Sequence, residues 1–197
     1  MGDGEPMIEP TLAKRIALVA FDVDGTLTDN GVYIGDSNGT VATERIEMKR
    51  FDIQDGLGIV MLRRAGIAVA FISARHSGAT TLRATELGVT HLRQGKGLRK
   101  VPVLQALSEE LGVPFQAIAF MGDDLADIAV MQQVALSAAP SNAVSEVKAI
   151  ATVLLTREGG RGAAREFIEM LLHARGEWNG LVADYVSDSA GLEAHAS

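Results

Sequence analysis

Ala17-Leu18-Val19-Ala20-Phe21-Asp22-Val23-Asp24-Gly25-Thr26 decides how the rest of the chain is read. From Ile16 to Phe21 every residue is apolar, the pattern of a strand buried on both faces of a parallel sheet. The run stops at two aspartates spaced two apart. Side chains alternate along extended backbone, so Asp22 and Asp24 share one side and Val23 takes the other. Gly25 lets the chain leave the strand in a conformation that other residues resist. Two carboxylates are thus expected at the carboxyl end of a central strand, where open α/β sheets bind ligands. Aspartate also caps helices and forms turns after strands, and the pair by itself leaves that reading open.

Around this stretch, strand and helix patterns alternate. Strands are expected at Ile67 to Ile72, Thr90 to Leu92, Ala117 to Met121, Val134 to Ser137 and Thr152 to Leu155. Helices are expected up to about Ala65, from Ser77 or Gly78 to Leu87, and from Lys100 to Leu111. Three more are expected at Asp124 to Gln132, Asn142 to Ala149 and Gly162 to Arg175. This βαβ spacing predicts an α/β fold, a doubly wound, Rossmann-like parallel sheet with helices on both faces. Asn38-Gly39 between β-type residues predicts a β-hairpin inserted at about residues 30–50. No insertion is long enough for a separate cap domain. Residues 1–13 read as a flexible lead, 14–175 as the folded domain, and 176–197 as a partly mobile tail.

Composition narrows the chemistry. The 197 residues carry 25 acidic and 18 basic side chains, a net charge of −7, which argues against a nucleic-acid surface. There is no cysteine, so disulfides, thiolate nucleophiles and thiolate metal sites are excluded. The metal ligands left are mostly oxygens, which suit Mg²⁺. No stretch approaches the roughly 20 apolar residues that span a bilayer. Met1 to Glu9, with Asp3, Glu5 and Glu9, lacks the basic start and apolar run of a secretory signal, so a cytoplasmic location is expected.

Three further pieces follow in order: Ser73 after the second strand, Lys100 at a helix start, and Gly122-Asp123-Asp124 after a later strand. Lys96 rivals Lys100 near the same turn. Together with Asp22-Val23-Asp24-Gly25-Thr26 they resemble the four motifs of the haloacid dehalogenase superfamily of phosphatases. The missing cap resembles its capless subfamily, whose members close their sites by oligomerising. The Asn38-Gly39 hairpin, Asp55-Gly56-Leu57-Gly58-Ile59 and Gly159-Gly160-Arg161-Gly162-Ala163 narrow the resemblance to the 3-deoxy-D-manno-octulosonate 8-phosphate phosphatases.

The resemblance implies a Mg²⁺-dependent phosphomonoesterase acting on a phosphorylated 3-deoxy-keto-sugar acid through an aspartyl-phosphate. It assigns Asp22 as nucleophile, Asp24 as general acid and base, and Ser73 and Lys100 to the phosphoryl group. The metal would be held by Asp22, the backbone carbonyl of Asp24, and Asp123. Asp124 and Asp127 would support the loop around Asp123. Asp55, Gly56, Arg75 and Arg83 are expected at the substrate, the two arginines sharing a helix face eight residues apart. The resemblance also implies a homo-oligomer, a tetramer, joined through residues 31–46. Two positions depart from the family pattern: Thr26 stands where a hydrophobic residue is usual, and Val60 where a lysine or arginine is frequent. Other readings are a phosphatase for nine-carbon keto-sugar acids and a non-catalytic sugar-phosphate-binding partner of a nucleotide-sugar enzyme. A phosphomutase or phosphotransferase would share the chemistry but would normally need a cap to exclude water.

Overall fold

The computed structural model describes residues 8–36 and 45–190. Strand β1 (Leu18–Phe21) is wholly buried, as its unbroken apolar run requires. It pairs in parallel with β4 (Ala68–Ser73) on one side and β6 (Ile118–Met121) on the other. Beyond β4 lies β5 (His91–Gln94). Beyond β6 lie β7 (Leu136–Ala139) and β8 (Val153–Leu154), giving the order β5-β4-β1-β6-β7-β8. The chain winds outward in one direction from β1 and then in the other from β6. The crevice of such a sheet opens at this switch point, between the carboxyl ends of β1 and β6. Asp22 and Asp123 follow those two ends.

Alternation along the strands splits the core into two layers. Val19, Phe21, Val69, Phe71 and Met121 face α2 (Ile53–Arg64), α3 (Gly78–Glu86) and α7 (Ala163–Arg175). Leu18, Ala20, Ile72, Ile118 and Phe120 face α4 (Lys100–Leu111), α5 (Ile128–Met131) and α6 (Ser145–Lys148). Phe21 and Phe71 meet edge to face, ring centres 6.5 Å apart, a geometry worth about 0.5–1.5 kcal/mol beyond area burial.

The hairpin is present as β2 (Tyr33–Asp36) paired antiparallel with β3 (Arg45–Met48), Tyr33 opposite Met48. Its expected Asn38-Gly39 turn lies outside the described residues. Two-stranded ribbons are marginal in water. This one leaves Tyr33, Ile34 and Met48 at 58%, 71% and 60% exposure.

Both ends of the domain depart from expectation. The lead is helical from Pro10: α1 (Pro10–Arg15) has proline in its first turn, and the Glu9 carboxylate accepts from the backbone of Thr11 and Leu12. Ile8 and Ala13 join the core. The tail is likewise structured through α8 (Trp178–Ser189). Trp178 packs between His173 and Arg165, and Leu181, Val182 and Tyr185 lean on the core. Arg175 donates to the carbonyls of Ala13 at 3.0 Å and Ile16 at 3.1 Å, tying the end of α7 to the start of the chain.

Candidate active site

Four backbone ends meet at the switch point. Asp22 follows β1, Ser73 ends β4, Asp123 follows β6, and Lys100 is the first residue of α4. A 3-10 turn over Leu125–Asp127 adds Asp127. Asp22, Asp123 and Asp127 are all buried, and one carboxylate oxygen of each lies within 4.8 Å of the others. Gly25, with φ of +92°, leads the chain away from Asp24 in the left-handed region, and a Cβ there would overlap the Asp123 carboxylate.

Lys100 Nζ donates to Asp22 Oδ1 at 2.6 Å and to Asp127 Oδ1. Asp127 Oδ2 accepts from the backbone N–H of Asp123 and of Asp124, each at 3.2 Å, so Asp127 both holds the lysine and shapes the Asp123 loop. Thr26 Oγ1 donates to Asp123 Oδ1 at 2.9 Å. Asp24 belongs to a second cluster. Its Oδ1 accepts from Lys49 Nζ at 2.6 Å and its Oδ2 from Ser73 Oγ at 3.2 Å. Ser73 Oγ in turn accepts from the Arg75 backbone N–H at 3.1 Å.

The electrostatics of the first cluster are those of an incompletely neutralised anion site. Burial pushes the Asp22 carboxyl up to about 8; Lys100 pulls it down, and the charge of Asp127 pushes it up again. Burial likewise lifts Asp123 to about 6, against the hydrogen bond from Thr26. For Lys100, burial works downward, but Asp22 and Asp127 outweigh it and raise the ammonium above its ordinary value. Three buried carboxylates around one lysine leave negative charge uncompensated. An all-oxygen donor set with surplus negative charge fits a hard divalent cation.

Of the residues expected at the substrate, Asp55, Gly56 and Arg83 form a group of their own. Asp55, in the first turn of α2, is buried and caps α7, accepting from the backbone of Gly162 at 3.2 Å and Arg165 at 2.7 Å. That is a favourable place for a carboxylate with respect to the helix dipole. Its neighbour Gly56 leaves room for Arg83, whose guanidinium would overlap a Cβ there. Arg83 donates to the Asp52 carbonyl and to Glu86, each at 2.9 Å. Neither Asp55 nor Arg83 shares a hydrogen bond with the carboxylate clusters. Arg75 is not on the helix of Arg83: Ser77 caps α3, which begins at Gly78, so Arg75 lies in the bend leaving β4. Its side chain is 45% exposed, and its guanidinium lies 3.7 Å from Glu47. Lys96 is exposed and Lys100 buried, which separates those two rivals.

Sequence reasoning missed Lys49 and the hydrogen bond of Thr26. The departure at Thr26 has a local reason, since a hydrophobic residue could not donate to Asp123. Lys49 gave no signal, because its partner lies 25 positions back across the hairpin.

A sheet wound in this order, with acids at its switch point and, among the described residues, no domain covering them, is the build of a capless haloacid dehalogenase-like hydrolase. The family model so described, haloacid dehalogenase-like hydrolase, matches residues 94–166. The chain is 38% identical over 165 residues to the 3-deoxy-D-manno-octulosonate 8-phosphate phosphatase of Escherichia coli K12, covering 84% of each. It superposes on the crystal structure of the Moraxella catarrhalis enzyme, in complex with magnesium, phosphate and KDO, with TM-score 0.81 and 35% identity over 89% of this chain and 97% of that one. The Yersinia pestis enzyme gives TM-score 0.80 at 36% identity, covering 87% and 88%. The chain belongs to the 3-deoxy-D-manno-octulosonate 8-phosphate phosphatase family.

Replacing Asp127 tests the architecture of the site. Asp127→Ala leaves Lys100 with Asp22 alone and takes the acceptor from two backbone N–H groups, and is expected to lower unfolding stability by about 1–3 kcal/mol. Denaturant melts measure this. A loss within about 0.5 kcal/mol, as for a solvated surface residue, would refute the bridging role.

Proposed function

We propose that the chain hydrolyses 3-deoxy-D-manno-octulosonate 8-phosphate to the free keto-sugar acid and phosphate, as an Mg²⁺-dependent phosphomonoesterase. The observation that carries the reading is the Asp22–Lys100–Asp127–Asp123 cluster at the sheet's switch point, on a chain of this family.

Asp22 is the nucleophile. Its carboxylate oxygen bonds to phosphorus while the bond from phosphorus to the sugar C8 oxygen breaks, and Asp24 gives that oxygen its proton. The product is an aspartyl-phosphate on Asp22. Asp24, now ionised, takes a proton from a water that attacks phosphorus. The bond to Asp22 breaks, releasing phosphate and restoring both carboxyls. Lys100 lies beside Asp22, where it offsets charge on the transferring group. Ser73 lies between Asp24 and the Arg75 backbone, within reach of the same region.

Asp22, Asp123 and the backbone carbonyl of Asp24 would hold Mg²⁺; the side chain of Asp24 is taken up by Lys49 and Ser73. When bound, the cation neutralises phosphoryl charge. Asp127 is committed to Lys100 and the loop, and supports the site from behind. The phosphomutase alternative wants a cap, and the non-catalytic alternative wants a lost motif acid; neither has support here. A nine-carbon keto-sugar acid is the competing substrate in the assays below.

Asp22→Asn keeps the side chain's shape and removes the nucleophile. It is expected to fold and to lose on the order of 10³-fold or more in kcat on the sugar-acid ester. EDTA should abolish the native activity and added Mg²⁺ restore it. Turnover near normal in either experiment would overturn the mechanism, and a native preference for the nine-carbon ester would move the substrate.

Arg75 is the cation we assign to the substrate carboxylate, because it is solvent-facing, follows Ser73 and has only an ion-pair contact to Glu47 at 3.7 Å, whereas Arg83 donates two hydrogen bonds at 2.9 Å. Arg75→Ala should lose roughly 1.5–3 kcal/mol of transition-state stabilisation on the sugar-acid ester, tenfold or more in kcat/KM. Its effect on p-nitrophenyl phosphate should be far smaller. Equal losses on the two esters would place Arg75 at the phosphate instead.

The subunits are proposed to assemble as a homo-tetramer through residues 31–46. Tyr33 and Met48, register partners on β2 and β3, expose one apolar face, which pairing would bury. A cytoplasmic location goes with this reading; among the described residues no helix is long and apolar enough to cross a membrane. Light scattering at micromolar concentration should give four times the chain mass. A fully active monomer would rule out both the assembly and subunits standing in for a cap.

A further inference from the structure

We infer that Lys49 is a positioning residue for Asp24, fixing from the root of the hairpin the carboxylate that moves the proton. The inference rests on the reading of Asp24 as general acid and base given above. Lys49 directly follows β3, and its side chain is wholly buried. Its ammonium donates to Asp24 Oδ1 at 2.6 Å, the short distance of a charge-assisted bond. Glu47 Oε1, at 3.8 Å, is in ion-pair range of the same ammonium but beyond hydrogen-bonding distance. Asp24 is therefore the group that Lys49 is built to hold.

An aspartate carboxylate turns easily about its last torsion, which has a broad, roughly two-fold preference. Here one donor sits on each oxygen, Lys49 on Oδ1 and Ser73 on Oδ2, and the two come from different sheets. Together they stop the turn. The bond from Ser73, at 3.2 Å, is the longer and has a neutral donor, so Lys49 does most of the holding. A group that transfers a proton must lie within hydrogen-bond reach of the leaving oxygen. Misplacement by about 1 Å costs on the order of 10²-fold. The hairpin thus has a second use besides its apolar outer face: its inner end sets the aim of the acid.

The alternative use of a buried cation here is to bind the phosphoryl group itself, and leaving-group dependence separates the two. kcat/KM covers steps only up to departure of the alcohol. For 2,4-dinitrophenyl phosphate that departure needs no proton; for p-nitrophenyl phosphate, phenyl phosphate and the sugar-acid ester the need grows in that order. In Lys49→Met the ratio of variant to native kcat/KM is expected to fall progressively along the series. It should stay within about twofold for the dinitrophenyl ester and fall by tenfold to a hundredfold for the sugar acid. Lys49→Arg, which retains a cation on a different reach, should lie between. A uniform fall across all four esters would assign Lys49 to phosphate or to general folding, and no fall would remove it from the site; either overturns the inference. If Lys49→Met does not give a cooperative melt, the same series on Lys49→Arg decides. A native enzyme that cleaves the aryl esters but not the sugar-acid ester would sink the substrate reading alone, since the aryl series still reports on Lys49.

Discussion

The ammonium of Lys100, set between Asp22 and Asp127, is the constraint on which the site depends. It stands at the first residue of α4, where the helix dipole disfavours a cation by about 0.3–1 kcal/mol. A unit charge pair even 4 Å apart attracts by about 4 kcal/mol at the effective dielectric of a protein. The two carboxylates therefore outweigh the dipole, and α4 must begin where they can be reached. Each partner then has a second duty. Asp22 belongs to β1, and Asp127 turns its other oxygen to the Asp123 loop. One side chain thereby registers the ends of β1 and β6 and the start of α4 against each other.

The surplus of acid over base around that lysine explains the division of labour among the aspartates. Asp22 and Asp123 are held in a buried cluster where ionisation is disfavoured until more positive charge arrives. Asp24, two residues from Asp22, faces Lys49 and Ser73 instead and is partly exposed, at 19% of its side chain. Carboxyls two residues apart on one strand end thus have separate environments, a common way to give acids of one type different roles.

Features legible in the sequence were those with a local cause. β1 announced itself by an apolar run ending in Asp-x-Asp-Gly, and its neighbours by the same strand-then-helix spacing. Asp22, Asp123 and Lys100 could be placed because each falls at the end or start of an element. Lys49 could not, because nothing near Glu47-Met48-Lys49-Arg50 shows that the hairpin folds its root onto Asp24. Arg75 and Arg83 were assigned to one helix by their spacing, but Ser77, a better cap, starts α3 later. Asp55 was expected at the substrate from the resemblance carried by Asp55-Gly56-Leu57-Gly58-Ile59; that it also caps α7 was hidden, because its partners, Gly162 and Arg165, are more than a hundred positions away. The ends were misread through composition: Glu9-Pro10 is a helix start hidden in a polar lead, and α8 is anchored chiefly by the single tryptophan.

The loop at Gly159 and Gly160 lies against the backbone of Gly25 and Thr28 so closely that a Cβ at either glycine would overlap main-chain atoms. Gly160 N–H donates to the Thr26 carbonyl at 3.0 Å, Arg50 reaches the Gly160 carbonyl at 2.6 Å, and Asn142 accepts from Gly159 N–H at 2.8 Å. The loop that follows the nucleophile is therefore braced by residues more than a hundred positions further along the chain. A nascent chain that has already emerged past Asp127 contains every acid of the site and both lysines, yet lacks the wall against which Gly25 to Asp29 is moulded. Residues up to Asp127 thus hold the full set of reactive side chains, and the segment before α7 supplies the wall that shapes the loop between them.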